Sequence, residues 1–183
     1  RGVQPGTRGV VVADDSVATV VAILGLWWHG CIPVPVSHML TAPEISFIVR
    51  DSAAGFMHLD APAKKHVALS VEFADLPQLT GDEIRQAFQT GSPAVVGDQQ
   101  RAGEPVPADA EVLVQYTSGS TGTPKGVRHG LTGIGAVLDG FGSIVALTPD
   151  DVVLSTTKLS FGYGFGNSLL FPLAAGASVI LLR

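Results

Sequence analysis

The sequence predicts an α/β protein built on a largely parallel sheet with flanking helices. Three observations carry that reading. Short β-branched apolar runs alternate with helical patterns, the order expected of a parallel sheet covered by helices. Of the 183 residues, 46% are hydrophobic and only 15% charged, which is ample for a buried core. The chain carries no tandem repeat and no heptad run, so neither a repeat array nor a coiled coil is indicated.

The elements follow in order. "RGVVVAD" (Arg8–Asp14) reads as a buried parallel strand. Ser16 is placed to cap the helix that follows, with Asp14 and Asp15 near its positive end. That helix should end near Gly30. "CIPVPVS" (Cys31–Ser37) is apolar, but Pro33 and Pro35 lack a backbone donor, so an edge strand or extended segment is expected. "TAPEISFIVRDS" reads as a helix capped by Thr41, with Pro43 and Glu44 in its first turn and Ile45, Ile48 and Val49 on one face. "AAGFMHLD" is the next strand. Residues 61–110 are rich in Pro, Gly, Asp, Gln and Ala and read as mostly surface connection, with a short helix at Asp82–Gln89. Beyond them, "AEVLVQYTSG" is a strand and "HGLTGIGAVLDGFGSIVAL" a helix despite its glycines. "DVVLST" is a strand, "GNSLLFPLAAG" a short helix, and "ASVILL" a strand.

Charge and cysteine usage narrow the function classes. A net charge of −5 argues against a nucleic-acid surface. "KK" at Lys64–Lys65 is the largest basic cluster, so an anionic membrane is not an expected partner. The single cysteine, Cys31, has no intramolecular disulfide partner, and the chain reads as cytoplasmic. "VATVVAILGLWW" (Val17–Trp28) is too short to span a bilayer and does not follow signal-peptide rules. The chain starts at Arg1 and stops at Arg183 just after an apolar run, which predicts an internal piece of a longer protein.

"QYTSGSTGTPKGV" (Gln115–Val127) carries the chemistry. A strand opening into a turn of glycines and hydroxyls exposes backbone N–H groups that suit phosphate oxygens, and Lys125 would neutralise phosphate charge. On composition alone, a mobile surface loop is the alternative. The stretch is not a Walker A loop: Pro124 stands where that pattern needs glycine, and Gly126 where it needs a hydroxyl. No G-x-G-x-x-G occurs, because the third glycine after Gly164 and Gly166 would fall at Leu169. The five histidines include no H-E-x-x-H and no pair at metal-ligand spacing. "STTK" (Ser155–Lys158) matches S-x-x-K without its companion motifs and reads as chance; no G-x-S-x-G elbow exists.

"YTSGSTGTPKGV" (Tyr116–Val127) resembles the signature loop of the adenylate-forming superfamily: acyl- and aryl-CoA ligases, adenylation domains of peptide synthetases and firefly-type luciferases. The flanking sequence is similar as well. A strand, a helix and "GCIPVP" lead to a helix near "DS", and "FGYGFGNSLLFPLAAGASVILL" resembles the segment lining the acyl pocket. Many relatives have a histidine in that aromatic stretch, where this chain has Gly162 followed by Tyr163. "FGYGFGN" looks closest to benzoate-CoA ligases. A small residue leaves room for a planar ring, and Tyr163 or Phe165 could stack on it. The other reading makes Phe161, Tyr163 and Phe165 core aromatics.

The resemblance implies an AMP-forming acid–thiol ligase, with this chain forming part of its large N-terminal domain. Residues 1–60 would be a strand and helix segment, 61–110 an irregular connection, and 111–183 the phosphate-loop and acyl-pocket segment. By motif position, Thr117, Ser118, Gly119, Ser120, Thr121, Gly122 and Lys125 would contact ATP. Lys125 would be catalytic and Thr121 also the metal contact. Gly162, Tyr163, Gly164 and Phe165 would bind substrate. ATP, Mg²⁺ and coenzyme A are the implied cofactors, a small carboxylic acid the partner, and a homodimer stays open. The family's later motifs for adenine, ribose and the adenylation lysine do not occur here, so the 183 residues alone should be inactive. An adenylation domain loading a carrier protein, and a non-catalytic nucleotide-binding module, are the alternatives.

Overall fold

The computed structural model describes residues 3–60, 64–90, 106–117 and 123–182, with the side chains of 64–67 outside that description. Its frame is a parallel sheet of β1 (Arg8–Ala13), β2 (Ile32–Ser37), β3 (Phe56–Asp60) and β4 (Gln78–Thr80), in spatial order β2-β1-β3-β4. The connecting helices are α1 (Val17–Trp28), α2 (Ala42–Asp51), α3 (Lys64–Glu72) and α4 (Gly81–Gln89). The predicted α/β class is the observed one.

Strand β1 is apolar along its length because both of its faces are covered. Val10 and Val12 enter one core with Val34, Ile45, Ile48, Met57 and Leu69. Val11 and Ala13 enter the other with Ile23, Leu26 and Phe56. Each core takes alternate strand residues, as the two-residue repeat of a strand requires.

The helices begin where capping chemistry places them. Ser16 Oγ accepts the Thr19 N–H at 3.1 Å and starts α1. Thr41 and Glu44 form a reciprocal capping box at α2, and Thr80 and Glu83 another at α4. Gly81 is needed at the second box, since a Cβ there would lie 2.1 Å from the Asp60 carboxyl carbon. That carboxylate is gripped by Arg85 at 2.9 and 3.1 Å.

The two prolines end the four-stranded ladder at β2. The Ile32 N–H donates to Thr7 O on the β1 side at 2.9 Å. Alternation then turns positions 33 and 35 the other way, where proline has no N–H to offer. β5 (Glu111–Thr117) lies beyond this edge but belongs to a separate two-stranded sheet, paired antiparallel with β6 (Lys125–Gly130).

Four expectations need correction. The stretch read as mostly irregular connection supplies α3, β4 and α4 to the framework; its residues 61–63 and 91–105 lie outside the described residues. "KGVRHG" is strand β6, although its side chains are mostly exposed and show no apolar alternation; pairing with β5 decides it. The helix expected from His129 starts at Leu131, as α5 (Leu131–Val137). It passes through a π turn at Leu138–Gly142 into α6 (Ser143–Val145) and stops at left-handed Ala146 (φ 51°). β7 (Val152–Leu154) pairs parallel with β8 (Ser178–Ile180). Between them, α7 (Gly162–Phe165), a π turn at Gly166–Leu170 and α8 (Phe171–Ala175) form one interrupted helix. It begins earlier than the sequence suggested, at Gly162.

Candidate functional site

Strand β5 is the spine of the site. Leu113, Val114 and Gln115 are buried, and Thr117 emerges at its end. Three contacts fix this strand to the frame. The Trp27 indole donates to Val112 O at 2.6 Å. Arg8 donates to both Glu111 oxygens, at 2.6 and 3.2 Å, and Arg128 from β6 also donates to Glu111. The Tyr116 hydroxyl donates to Asp51 at the end of α2 at 2.6 Å. Burial works against charge on Glu111, yet the Arg8 and Arg128 hydrogen bonds hold its carboxyl below the usual range. Burial first, and then the bond to Asp51, push the Tyr116 phenol far up, so it stays a donor.

The hairpin register puts Thr117 directly opposite Lys125. The loop between them is therefore closed at its base by strand pairing. Among the predicted loop contacts, Ser118, Gly119, Ser120, Thr121 and Gly122 lie outside the described residues; Thr117 and Lys125 are described. Lys125 is exposed and makes no ion pair among the described residues. A lone cation beside the exposed end of a strand suits an anionic ligand. No group of three His, Cys, Asp or Glu side chains capable of holding a metal occurs among the described residues. Gly126 packs under Tyr116: a Cβ there would lie 3.1 Å from its ring.

The aromatic segment meets this spine at Gly162. A Cβ on Gly162 would sit 3.3 Å from Gln115 Oε1, so the start of α7 rests on β5 two residues before Thr117. Tyr163 is 69% exposed, and its ring points outward. Gly164 is pressed onto backbone, since a Cβ would lie 2.2 Å from Lys158 O and 2.3 Å from Thr157 O. Phe165 is 1% exposed and packs edge-on against Trp27, with ring centroids 5.8 Å apart and planes at 88°. The suggestion that Phe165 offers a stacking face therefore fails on geometry, because both faces of its ring are enclosed by core. Gly162 and Tyr163 face the surface.

Two features escaped the sequence reading. Asp14 and Asp15 directly precede the Ser16 cap of α1, but their side chains also reach a distant segment. Asp14 accepts from Lys158 Nζ at 2.8 Å, and buried Asp15 accepts the Leu159 N–H at 3.0 Å. These contacts hold the β1–α1 turn against the segment leading into α7. They also consume Lys158, so "STTK" is an anchor with no free lysine. Burial raises the Asp15 carboxyl despite that bond, whereas on Asp14 burial is overcome by the Lys158 ammonium and the Asp15 N–H together, and the carboxyl is lowered. The second feature is Gln115, which sequence pattern alone marks only as a strand residue.

Over residues 1–183, the sequence matches the family described as "AMP-binding enzyme". It is 30% identical to a 4-hydroxybenzoate–CoA/benzoate–CoA ligase of Rhodopseudomonas palustris, covering 98% of this chain and 34% of that protein. It is 33% identical to an anthranilate–CoA ligase of Pseudomonas aeruginosa, covering 99% of this chain and 35% of that protein. The crystal structure of a benzoate CoA ligase from Burkholderia xenovorans superposes with a TM-score of 0.80 at 27% identity, over 98% of this chain and 36% of that one. The chain thus spans about a third of the length of the curated relatives it matches. Signature loop, frame and match agree, and the chain belongs to the family of AMP-binding enzymes.

Proposed function

We propose that the protein carrying this chain activates an aromatic carboxylic acid with ATP and transfers the acyl group to the thiol of coenzyme A. The observation that carries this reading is the hairpin: Thr117 is pinned opposite Lys125, which makes no ion pair among the described residues, with exposed Gly162 on the same strand's flank. A cation at a strand end beside a residue without a side chain supports a reading in which a phosphate and a planar acid are held next to each other. The named activities of the benzoate and anthranilate ligases above support the aromatic acid and the CoA acceptor.

In the first half-reaction a carboxylate oxygen attacks the α-phosphorus of ATP. The bond to the β-phosphate oxygen breaks, and pyrophosphate leaves with the electron pair. The nucleophile is already an anion, so no general base is required. Thr117, Ser118, Gly119, Ser120, Thr121 and Gly122 would supply N–H and hydroxyl donors, and Lys125 would meet the charge growing on the leaving group. Mg²⁺, held in part by Thr121, would neutralise phosphate charge when bound. In the second half-reaction the CoA thiolate attacks the acyl carbon and AMP departs. Gly162 and Tyr163 would form the floor and side of the acyl pocket; Gly164 and Phe165 would position them through packing.

Lys125→Ala in the full-length protein tests this. Aromatic-acid-dependent ATP–pyrophosphate exchange should fall about 100-fold, the size expected for removing a group that meets developing charge. Thioester formation from supplied acyl-adenylate should change far less. Equal losses in both assays would overturn the assignment.

A further inference from the structure

Residues 155–161, which lead into α7, belong to no strand or helix, so no backbone ladder fixes them. A side chain does so instead. Asp15 is 4% exposed, and both of its oxygens accept the Leu159 N–H, at 3.0 and 3.3 Å. It makes no ion pair among the described residues. A carboxylate is costly to bury for one backbone N–H, so the placing of that N–H is what needs explaining. The outer edge of the same turn is tied as well. Lys158 Nζ donates to Asp14 at 2.8 Å and to Leu182 O, just past β8, at 2.7 Å.

The grip reaches the start of α7 through backbone alone. The Phe161 N–H donates to Lys158 O at 3.0 Å, and the Phe165 N–H to Phe161 O at 2.8 Å. Gly164 rests on the Lys158 and Thr157 carbonyls, with which a Cβ would collide. The peptide joining Lys158 to Leu159 therefore sets where α7 begins, and with it how closely Gly162 approaches β5. Thr117 and Lys125 are held by other contacts, those of Arg8, Trp27 and Tyr116. A binding surface works only when held within about 0.5 Å of its productive geometry. Resting on the aromatic-acid reading above, we propose that Asp15 is a positioning residue for the acid: through the Leu159 N–H it fixes the height of Gly162 and Tyr163 over β5, and so sets affinity for the acid but not for ATP. The Asp14–Lys158 pair is a second tie on the same peptide.

The test is steady-state adenylation by the full-length protein, with KM for benzoate, KM for ATP and kcat measured separately. Asp15→Ala removes the acceptor and should raise KM for benzoate about tenfold, since a displacement of about 1 Å in a site is costly. KM for ATP, and kcat at saturating benzoate, should stay within about twofold, the signature of lost ground-state binding. Asp15→Asn keeps an acceptor oxygen for the N–H and should restore most of the loss. A merely structural role predicts another split: less folded enzyme lowers kcat and leaves both KM values alone. Three results overturn the proposal: a fall in kcat alone, a joint rise in KM for benzoate and ATP, or no recovery in Asp15→Asn. If Asp15→Ala does not fold, Lys158→Met decides, because it cuts only the outer tie. It should raise KM for benzoate about threefold with KM for ATP unchanged, and an unmoved KM for benzoate overturns the proposal. In those cases turnover of benzoate by the unmodified protein leaves the aromatic-ligase reading standing, and only this inference falls. If the unmodified protein activates no aromatic acid, both fall.

Discussion

At Gly164 and Gly162 the same residue type answers two different demands, two positions apart. Gly164 sits where a Cβ would overlap two backbone carbonyl oxygens, which have no room to move. Gly162 faces only the end of a flexible glutamine. Gly164→Ala should therefore destabilise the full-length protein by about 1–3 kcal/mol, the usual cost of forcing atoms into a filled site. Gly162→Ala should leave stability nearly unchanged. Thermal melts of the two variants check this, and equal shifts would refute it. His58 makes a different demand. It is fully buried at the centre of β3, and among the described residues neither ring nitrogen makes a hydrogen bond of good geometry, the Leu79 backbone being its polar neighbour. Burial pushes the imidazole below its ordinary value of 6.5, and the Asp60 carboxylate only partly opposes this. The unfolded imidazole takes up a proton near 6.5 while the folded one stays neutral. Stability should thus fall as pH drops through that value, and above it the difference vanishes because both forms are neutral. His58→Leu should flatten the melting temperature between about pH 7.5 and about pH 5.5, where unpaired histidines titrate. An unchanged slope would show that other groups set it.

Helix starts were the most legible elements, because each is written in adjacent residues. Ser16 and Thr41 cap where the sequence places them, and the Thr41–Glu44 box closes in both directions. Thr41→Ala should cost about 1 kcal/mol, and Thr41→Ser should recover most of it. Urea denaturation midpoints of the full-length protein would measure both. Strands β4 and β6 were not legible, for a physical reason. Gln78–Thr80 is too short to show a period, and Lys125–Gly130 is mostly exposed. Both are strands because a partner strand is there, β3 in one case and β5 in the other. At the site, the loop's residue types suggested a phosphate cradle, and residues 118–122 lie outside the described residues. The inward turn of Phe165 depended on Trp27, far away in sequence, and no local pattern could reveal it.

Across the molecule, one part is closed and another is open. The four-stranded sheet is covered on both faces, whereas Val152 and Leu154 of β7, Ile180 of β8 and Ile144 of α6 are exposed apolar side chains. No helix among the described residues is long and apolar enough to cross a membrane. The chain also covers only about a third of its curated relatives. The 183 residues in isolation should therefore show no acid-dependent pyrophosphate release. Release assays with benzoate and hydroxybenzoates would check this, and measurable turnover would contradict it.

The antiparallel hairpin also sets an order of events during folding. Thr117 and Lys125 are near neighbours in sequence, so β5 and β6 can pair without waiting for the rest of the chain. Hairpins form in roughly 1–10 μs, before distant strands find each other. β1 and β3, by contrast, meet only after α1, β2 and α2 have been gathered between them, and such long-range pairing is slow. Thr117 and Lys125, at the two ends of the loop, are thus joined by a local, early contact. The base of this hairpin would take shape before the sheet to which Arg8 and Tyr116 later fix it.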